Sequence, residues 1–485
     1  MKRAFLTLLL LLSACAPATP IPEAVKVNAQ AIKSTPGPTG LGDSFYPLLG
    51  NAGYDVTHYD ITLTVDPSAN TLKGETTIEA MALSDLDQFN LDMSGLVVDS
   101  VSVDGAAAGF SRHQMEMTVS PRSPLSAKQA FTVAVTYHGS PAPIGDDAIH
   151  MTLGWQTMPG GTYVASEPSG AMTWFPCNNH WSDKATYTFN ITVPSGYQVV
   201  ANGSPFPARE DSGFSTQTWV ESAPMSTYLA TVVIGKYELE KQVSARGVNI
   251  LNYFPVGTPD TLKAYFAHTP QIVDFFSELI APYPFENYGV VLANKDLGFA
   301  LETQTRSLFG NAGWGADDET VVAHELAHQW FGDSVTPATW ADLWLKEGFA
   351  TYLSSLWVEH SQGKAAYDAN IQKMYDGAVM IEFGLAFQPI GTLRPRNANE
   401  LYTAATYYRG ALALHALRLE VGENTFFSIL REFYARHAGK TASTDDFIAL
   451  AQEISGRDLT KFFNLWLDTY SMPPKPGLED LSKEK

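Results

Sequence analysis

His324, Glu325 and His328 stand in the stretch VVAHELAHQWFGDS, residues 321–334 of a 485-residue chain with only 11 histidines. On a helix, positions i and i+4 lie about 40° apart around the axis, so the two imidazoles point the same way. They can take two corners of a tetrahedral zinc site, with Glu325 close enough to hold a metal-bound water. H-E-x-x-H arises by chance in about 1% of chains of this length and composition, so the pattern alone is suggestive, not decisive. Nineteen residues after His328, Glu347 sits among Leu345, Phe349, Ala350 and Leu353. A carboxylate there is costly unless paired or metal-bound. Two histidines and one carboxylate with the fourth position open make a catalytic rather than a closed structural zinc site. Asp342, five residues before Glu347, has two readings: a partner for a histidine N–H, or a helix N-cap.

For these side chains to meet, 317–331 and 343–361 must both be helices, folded back on one another through a short connection at Pro337. Asp317, Asp318 and Glu319 suit the positive end of the first, and Gly332 suits its stop. Helical spacing also runs through DTLKAYFAHTPQIVDFFSELI and predicts further helices over 364–382, 404–420, 423–438, 444–455 and 459–470. Upstream, from about 54 to 240, alternation prevails: Tyr59, Ile61, Leu63 and Val65 share one face, a turn follows, and similar strands recur. The stretch YGVVLANKDLGFALETQTRSLFG between the first helix and the second is expected to form strands. The organisation expected is an α+β chain, with a β-sheet-rich domain over 47–242 and a mainly helical domain over 243–472.

The chain carries 31 basic and 51 acidic side chains, a net charge of -20, which argues against a nucleic-acid or anionic-membrane surface. At the N-terminus, Lys2 and Arg3 precede an apolar run from Ala4 to Leu12, too short to span a membrane, which reads as an export signal over 1–15. Leu12-Ser13-Ala14-Cys15 resembles a bacterial lipobox, so Cys15 is the expected lipid anchor; an ordinary signal-peptidase cut is the alternative. Either way the mature protein is expected outside the cytoplasm, on the cell envelope or secreted. Residues 16–46, rich in Pro, Ala, Thr and Gly, read as a flexible linker, and 473–485 as a disordered tail. Cys177 is the only other cysteine and reads as a buried thiol. His415 reads as a packing histidine, Trp330, Trp340 and Trp344 as packing, and His180 and Trp181 as loop residues that could line a cleft.

HELAHQWFGDSVT and WLKEGFATYL, with eighteen residues between His328 and Glu347, resemble the aminopeptidase N family of gluzincin zinc peptidases, which also includes leukotriene hydrolase. The resemblance spans roughly 50 to 470. It implies a saddle-like sheet domain followed by a thermolysin-like catalytic domain, one zinc held by His324, His328 and Glu347, and Glu325 as general base. In FALET, matched to the family's G-A-M-E-N, it implies that Glu302 grips the substrate's free α-ammonium. Phe299 and Thr303 depart from the family's Gly and Asn. Glu167 matches a second amine-binding position, although the residues alone favour a solvated strand-end carboxylate. YYRG matches the family's Y-x-K-G and implies that Tyr407 stabilises the tetrahedral intermediate, with Arg409 in place of lysine and Tyr408 as the neighbouring alternative. Family members commonly carry a long C-terminal helical domain; this sequence stops soon after FFNLWLDTYSMPP, so a more open cleft, or one closed by another subunit, is expected. The function implied is removal of N-terminal residues from peptides with a free N-terminus. The alternatives are an endopeptidase or an epoxide hydrolase on the same scaffold, and a binding module with an idle zinc site.

Overall fold

Alternation from Tyr54 to Asp66 lays one face of a 13-residue strand into the core and leaves the other to solvent. In this computed structural model, which describes residues 40–146, 149–313, 318–384 and 391–476, that strand lies near the middle of a nine-stranded sheet. It pairs antiparallel with Thr71–Ala82 and parallel with Lys184–Pro194. A five-stranded sheet that includes Met151–Met158, Gly161–Ala165 and Val232–Gly235 and a three-stranded sheet of Phe89–Asp92, Glu116–Ser120 and Gly109–His113 also belong to the sheet-rich N-terminal domain, whose core holds Tyr59, Ile61, Trp174, Phe175 and Phe189.

A four-stranded sheet follows, ordered Tyr237–Val243, Asn249–Pro255, Val290–Leu292 and Ser307–Phe309. The last two are the strands expected between the first helices. The expected boundary between 242 and 243 falls at the end of the first strand. Pairing joins that strand to Asn249–Pro255, because alternation reveals a strand's faces but not its neighbours.

The helical domain is built from α1 (Thr269–Leu279), α2 (Asp318–Ala327), α3 (Trp344–Gln362), α4 (Lys364–Gly384), α5 (Gly410–Val421), α6 (Glu423–His437) and α7 (Thr444–Ser455). Its separate core gathers Phe276, Trp330, Phe349, Phe433 and Phe447. Among the described residues, no helix is long and apolar enough to cross a membrane.

Arg306 welds the two domains. Fully buried, it donates to the Leu251 carbonyl at 2.5 Å and to Asn287 Oδ1 at 2.7 Å, and it lies between the rings of Trp219 and Tyr253 at 5.6 and 5.5 Å. Arg306→Leu strips charge-assisted bonds from buried acceptors. It is expected to cost about 3 kcal/mol of unfolding free energy, read as a lower urea midpoint.

Two expectations at the ends change. Gly40 to Tyr46 belong to the folded body, not to a linker. Buried Asp43 accepts from the Phe45, Tyr46 and Trp340 amides, and the Tyr46 ring packs edge-on against Trp340. Composition read this stretch as spacer because its one anchoring carboxylate bonds almost 300 residues away. Likewise Pro473 and Lys475, assigned to the tail, bond Tyr375 and Gln372 of α4. The export signal with Cys15, residues 16–39 of the linker and residues 477–485 of the tail lie outside the described residues.

Candidate active site

α2 carries His324 and Glu325, and the His328 amide still bonds the His324 carbonyl at 3.3 Å, so the two imidazoles lie one turn apart on one face, edge to face. Beyond them the chain turns through Gly332, whose φ of 137° a side chain would resist. A Cβ there would also meet His328 Nδ1 at 3.1 Å. The turn lets the Phe331 carbonyl accept from His328 Nδ1 at 3.1 Å, which leaves Nε2 with its lone pair free. Thr351 Oγ1 lies 3.4 Å from His324 Nδ1.

Glu347, in the first turn of α3, closes the triangle. Its Oε2 lies 3.3 Å from His324 Nε2 and 3.4 Å from His328 Nε2, and the two nitrogens are 3.0 Å apart. Tetrahedral ligands at zinc bond lengths stand about 3.3 Å from one another, so three electron-pair donors converge at the spacing that a zinc ion requires. The local field favours a cation. Burial lowers the affinity of His328 for a proton, but Glu347 and Glu302 more than reverse this and raise it to about 10.

Two further acids and a tyrosine border this triangle. One carboxylate oxygen each of Glu302 and Glu325 and a ring nitrogen of His328 lie within 4.8 Å of one another. Glu325 is buried, which raises it well above the ordinary carboxylate range, and no described residue donates to it. Glu302 is set beside α2 by Gln329, whose Nε2 donates to the Glu302 carbonyl at 3.0 Å while its Oε1 accepts from the Thr305 amide at 2.8 Å. Thr305 holds a φ of 63°, a conformation that costs a β-branched residue about 1–3 kcal/mol and that these bonds over-determine.

Tyr407 lies in the wide turn Ala405–Arg409 that opens into α5, and its ring packs nearly parallel to His324 at 6.2 Å between centroids. Burial, then Glu347 and Glu167, push its hydroxyl well above the ordinary range, so it stays protonated and can donate. This turn reaches Glu347 because α3 and α5 touch at glycines: a Cβ on Gly348 would come within 2.8 Å of the Gly410 Cα. Tyr408 is exposed. Buried Arg409 donates to the Gly391, Leu465 and Trp466 carbonyls and to Thr469, fastening the turn to the helical segment Asn464–Asp468.

The peptidase family M1 domain matches residues 269–466, and the peptidase M1 N-terminal domain matches residues 56–229. An M1 zinc metallopeptidase of known structure from Deinococcus radiodurans superposes with a TM-score of 0.83 at 32% identity, covering 90% of this chain and 99% of that one. The chain belongs to peptidase family M1. A variant of the Deinococcus enzyme bound to a Tyr-Ser-Ala substrate matches equally well, at 33% identity over 90% of this chain and 99% of that one. Aminopeptidase M1 of Arabidopsis thaliana is 28% identical over 330 residues, which cover 63% of this chain and 36% of that one. The M1 chain thus spans little more than a third of the length of the curated relatives that it matches.

Glu167 is where the M1 chain departs most from the reading of its residues alone. It is not a solvated strand end: its side chain is 9% exposed and faces the site, paired with Lys346. Lys346 and its neighbours are what the sequence reading missed. Its fully buried ammonium bonds Glu167 and Glu302, lies 3.4 Å from Glu347 Oε1 and sits 4.9 Å over the Tyr228 ring. Burial opposes this charge, but Glu167 and Glu302 outweigh it and hold the ammonium well above the ordinary lysine range. Burial and Glu302 push Glu167 up to about 8 despite Lys346. Glu302 is held below its usual range because Lys346 and His328 overcome burial. A lysine in the apolar stretch beside Glu347 was the available signal.

The remaining candidates are structural. Asp342 caps rather than supports a histidine: its oxygens accept from Thr339 and Thr444. His180 and Trp181 are buried, the indole stacked on Trp340 at 3.6 Å, so neither lines a cleft. His415 bonds the Tyr367 hydroxyl at 2.8 Å, and Cys177 is a buried free thiol. Phe299 packs against the core of the sheet-rich domain.

Proposed function

We propose that the protein is a zinc-dependent aminopeptidase that removes the N-terminal residue from peptides. The observation that carries this reading is the placement of two buried carboxylates, Glu167 and Glu302, beside the triangle of His324, His328 and Glu347. Zinc held by that triangle would lower the pKa of water toward neutrality and polarise the scissile carbonyl. Glu325, with its unengaged carboxylate, takes the proton of the attacking water and delivers it to the departing amine. Tyr407 donates a hydrogen bond from its hydroxyl to the carbonyl oxygen as charge develops there. Glu302 and Glu167 take the substrate's α-ammonium, so charge pairing sets how far the peptide enters and which bond reaches the metal. Support also comes from the tripeptide-bound Deinococcus relative and from the plant relative named as an aminopeptidase.

An endopeptidase on the same residues is the second reading, favoured by Lys346, which already pairs with both acids that would bind an ammonium. Digestion of an unblocked tripeptide separates them. The aminopeptidase releases the first residue and leaves a dipeptide, and chelation stops the reaction until zinc is restored. Cleavage confined to interior bonds of longer peptides would contradict the proposal. We also propose, from Lys2, Arg3, the apolar run and Cys15, that the enzyme acts outside the cytoplasm on a lipid anchor.

A further inference from the structure

Three carboxylates around Lys346 are divided in the same way. Glu347 turns Oε1 to the ammonium, at 3.4 Å, and Oε2 to the two histidines. Glu302 gives Oε1 to Lys346 and to the Tyr228 hydroxyl, the latter at 3.2 Å. Glu167 gives Oε1 to Lys346 and to the Tyr402 hydroxyl, at 3.1 Å. No described residue donates to Oε2 of Glu167 or Glu302, and neither oxygen is among the sealed, partnerless atoms of the interior. A buried carboxylate with one oxygen fully engaged and the other without a donor is set to receive a cation.

We propose that Lys346 is the positioning residue that makes this division. It takes one oxygen of each of three carboxylates, leaving the second oxygen of Glu347 for the metal and those of Glu167 and Glu302 for the substrate's ammonium. Its second role rests on the aminopeptidase reading; its first does not. Three acids within reach of one another repel, and without a fixed cation they would turn apart or draw in a proton. A lysine on α3, one residue before a metal ligand and with no exposed surface, is a cation that cannot leave. Neither Tyr228 nor Tyr402 can replace it, since each brings a hydroxyl and no charge. The substrate's ammonium therefore meets carboxylates already oriented, instead of having to gather them, and this preorganisation lowers KM.

The test uses the zinc-loaded full chain and three variants, Lys346→Met, Lys346→Gln and Lys346→Ala, with kinetics on aminoacyl reporters and zinc affinity from competition with a chromogenic chelator. All three uncharged variants are expected to bind zinc about 10–100-fold more weakly, as for loss of a group orienting a metal ligand. With zinc kept saturating, they are expected to raise KM for free-amine reporters at least about tenfold, and more than they lower kcat. Lys346→Ala is expected to recover activity saturably with added ethylammonium and not with propanol, a rescue that a packing role would not give. Lys346→Gln decides the matter if the methionine variant does not fold. Wild-type zinc affinity and KM in a folded uncharged variant, or an alanine variant indifferent to the amine, would overturn the proposal. If free-amine preference itself is missing in the wild type, the aminopeptidase reading fails while the zinc measurement still decides whether Lys346 orients Glu347.

Discussion

Glu325→Gln is expected to lower kcat/KM by about a thousandfold while leaving zinc content and melting temperature unchanged. The substitution keeps the size and shape of the side chain and removes only its ability to accept a proton. No described residue donates to the Glu325 carboxylate, so glutamine strands no buried partner and the fold has little to lose. The effect should fall on kcat rather than KM, since proton transfer belongs to the transition state. Steady-state kinetics, with metal analysis of the same sample, checks it. Retained activity would remove Glu325 from the mechanism and leave another base to be found.

His328→Ala is expected to reduce zinc from one per chain to a trace and to cut activity at least about a thousandfold, since Lewis-acid catalysis supplies several kcal/mol. The reason is geometric: His328 Nε2 closes a triangle in which no side is longer than 3.4 Å, and its ring is held from behind by the Phe331 carbonyl. His415→Ala is the control. That histidine bonds a tyrosine in the helical core, and zinc content and activity should survive its loss. Elemental analysis after dialysis reads both variants. Zinc retained by His328→Ala at wild-type stoichiometry would mean that the metal sits elsewhere.

The triangle of His324, His328 and Glu347 was legible because its parts are local. Two histidines a turn apart and a carboxylate stranded in an apolar helix each announce their cost in sequence. Other parts depend on contacts between distant segments, and spacing says nothing about those. Lys346 had no role assigned until the structure brought Glu167, 179 positions away, against its ammonium. That same contact turned Glu167 from a strand-end acid into a residue of the site. Asp342 could be read as either histidine partner or cap, and Thr444 decided it by donating from a helix 102 residues further on. The strands and helices came through in outline because periodicity is local too, while the sheet to which Tyr237–Val243 belongs did not. Gly348 and Gly410 show the same limit: their mutual approach, which leaves no room for a side chain on either, joins segments 62 residues apart.

In the proposed mechanism, charge pairing with a free α-ammonium selects the bond that is cut. The most direct measurement compares kcat/KM for one peptide with its N-terminus free and with it acetylated, on zinc-loaded wild type. Acetylation is expected to lower kcat/KM at least about a hundredfold, because the acetyl amide brings no charge to Glu302 and Glu167 and must desolvate them unpaired. Equal rates on the two peptides, with acetylated substrate cut at interior bonds, would contradict it.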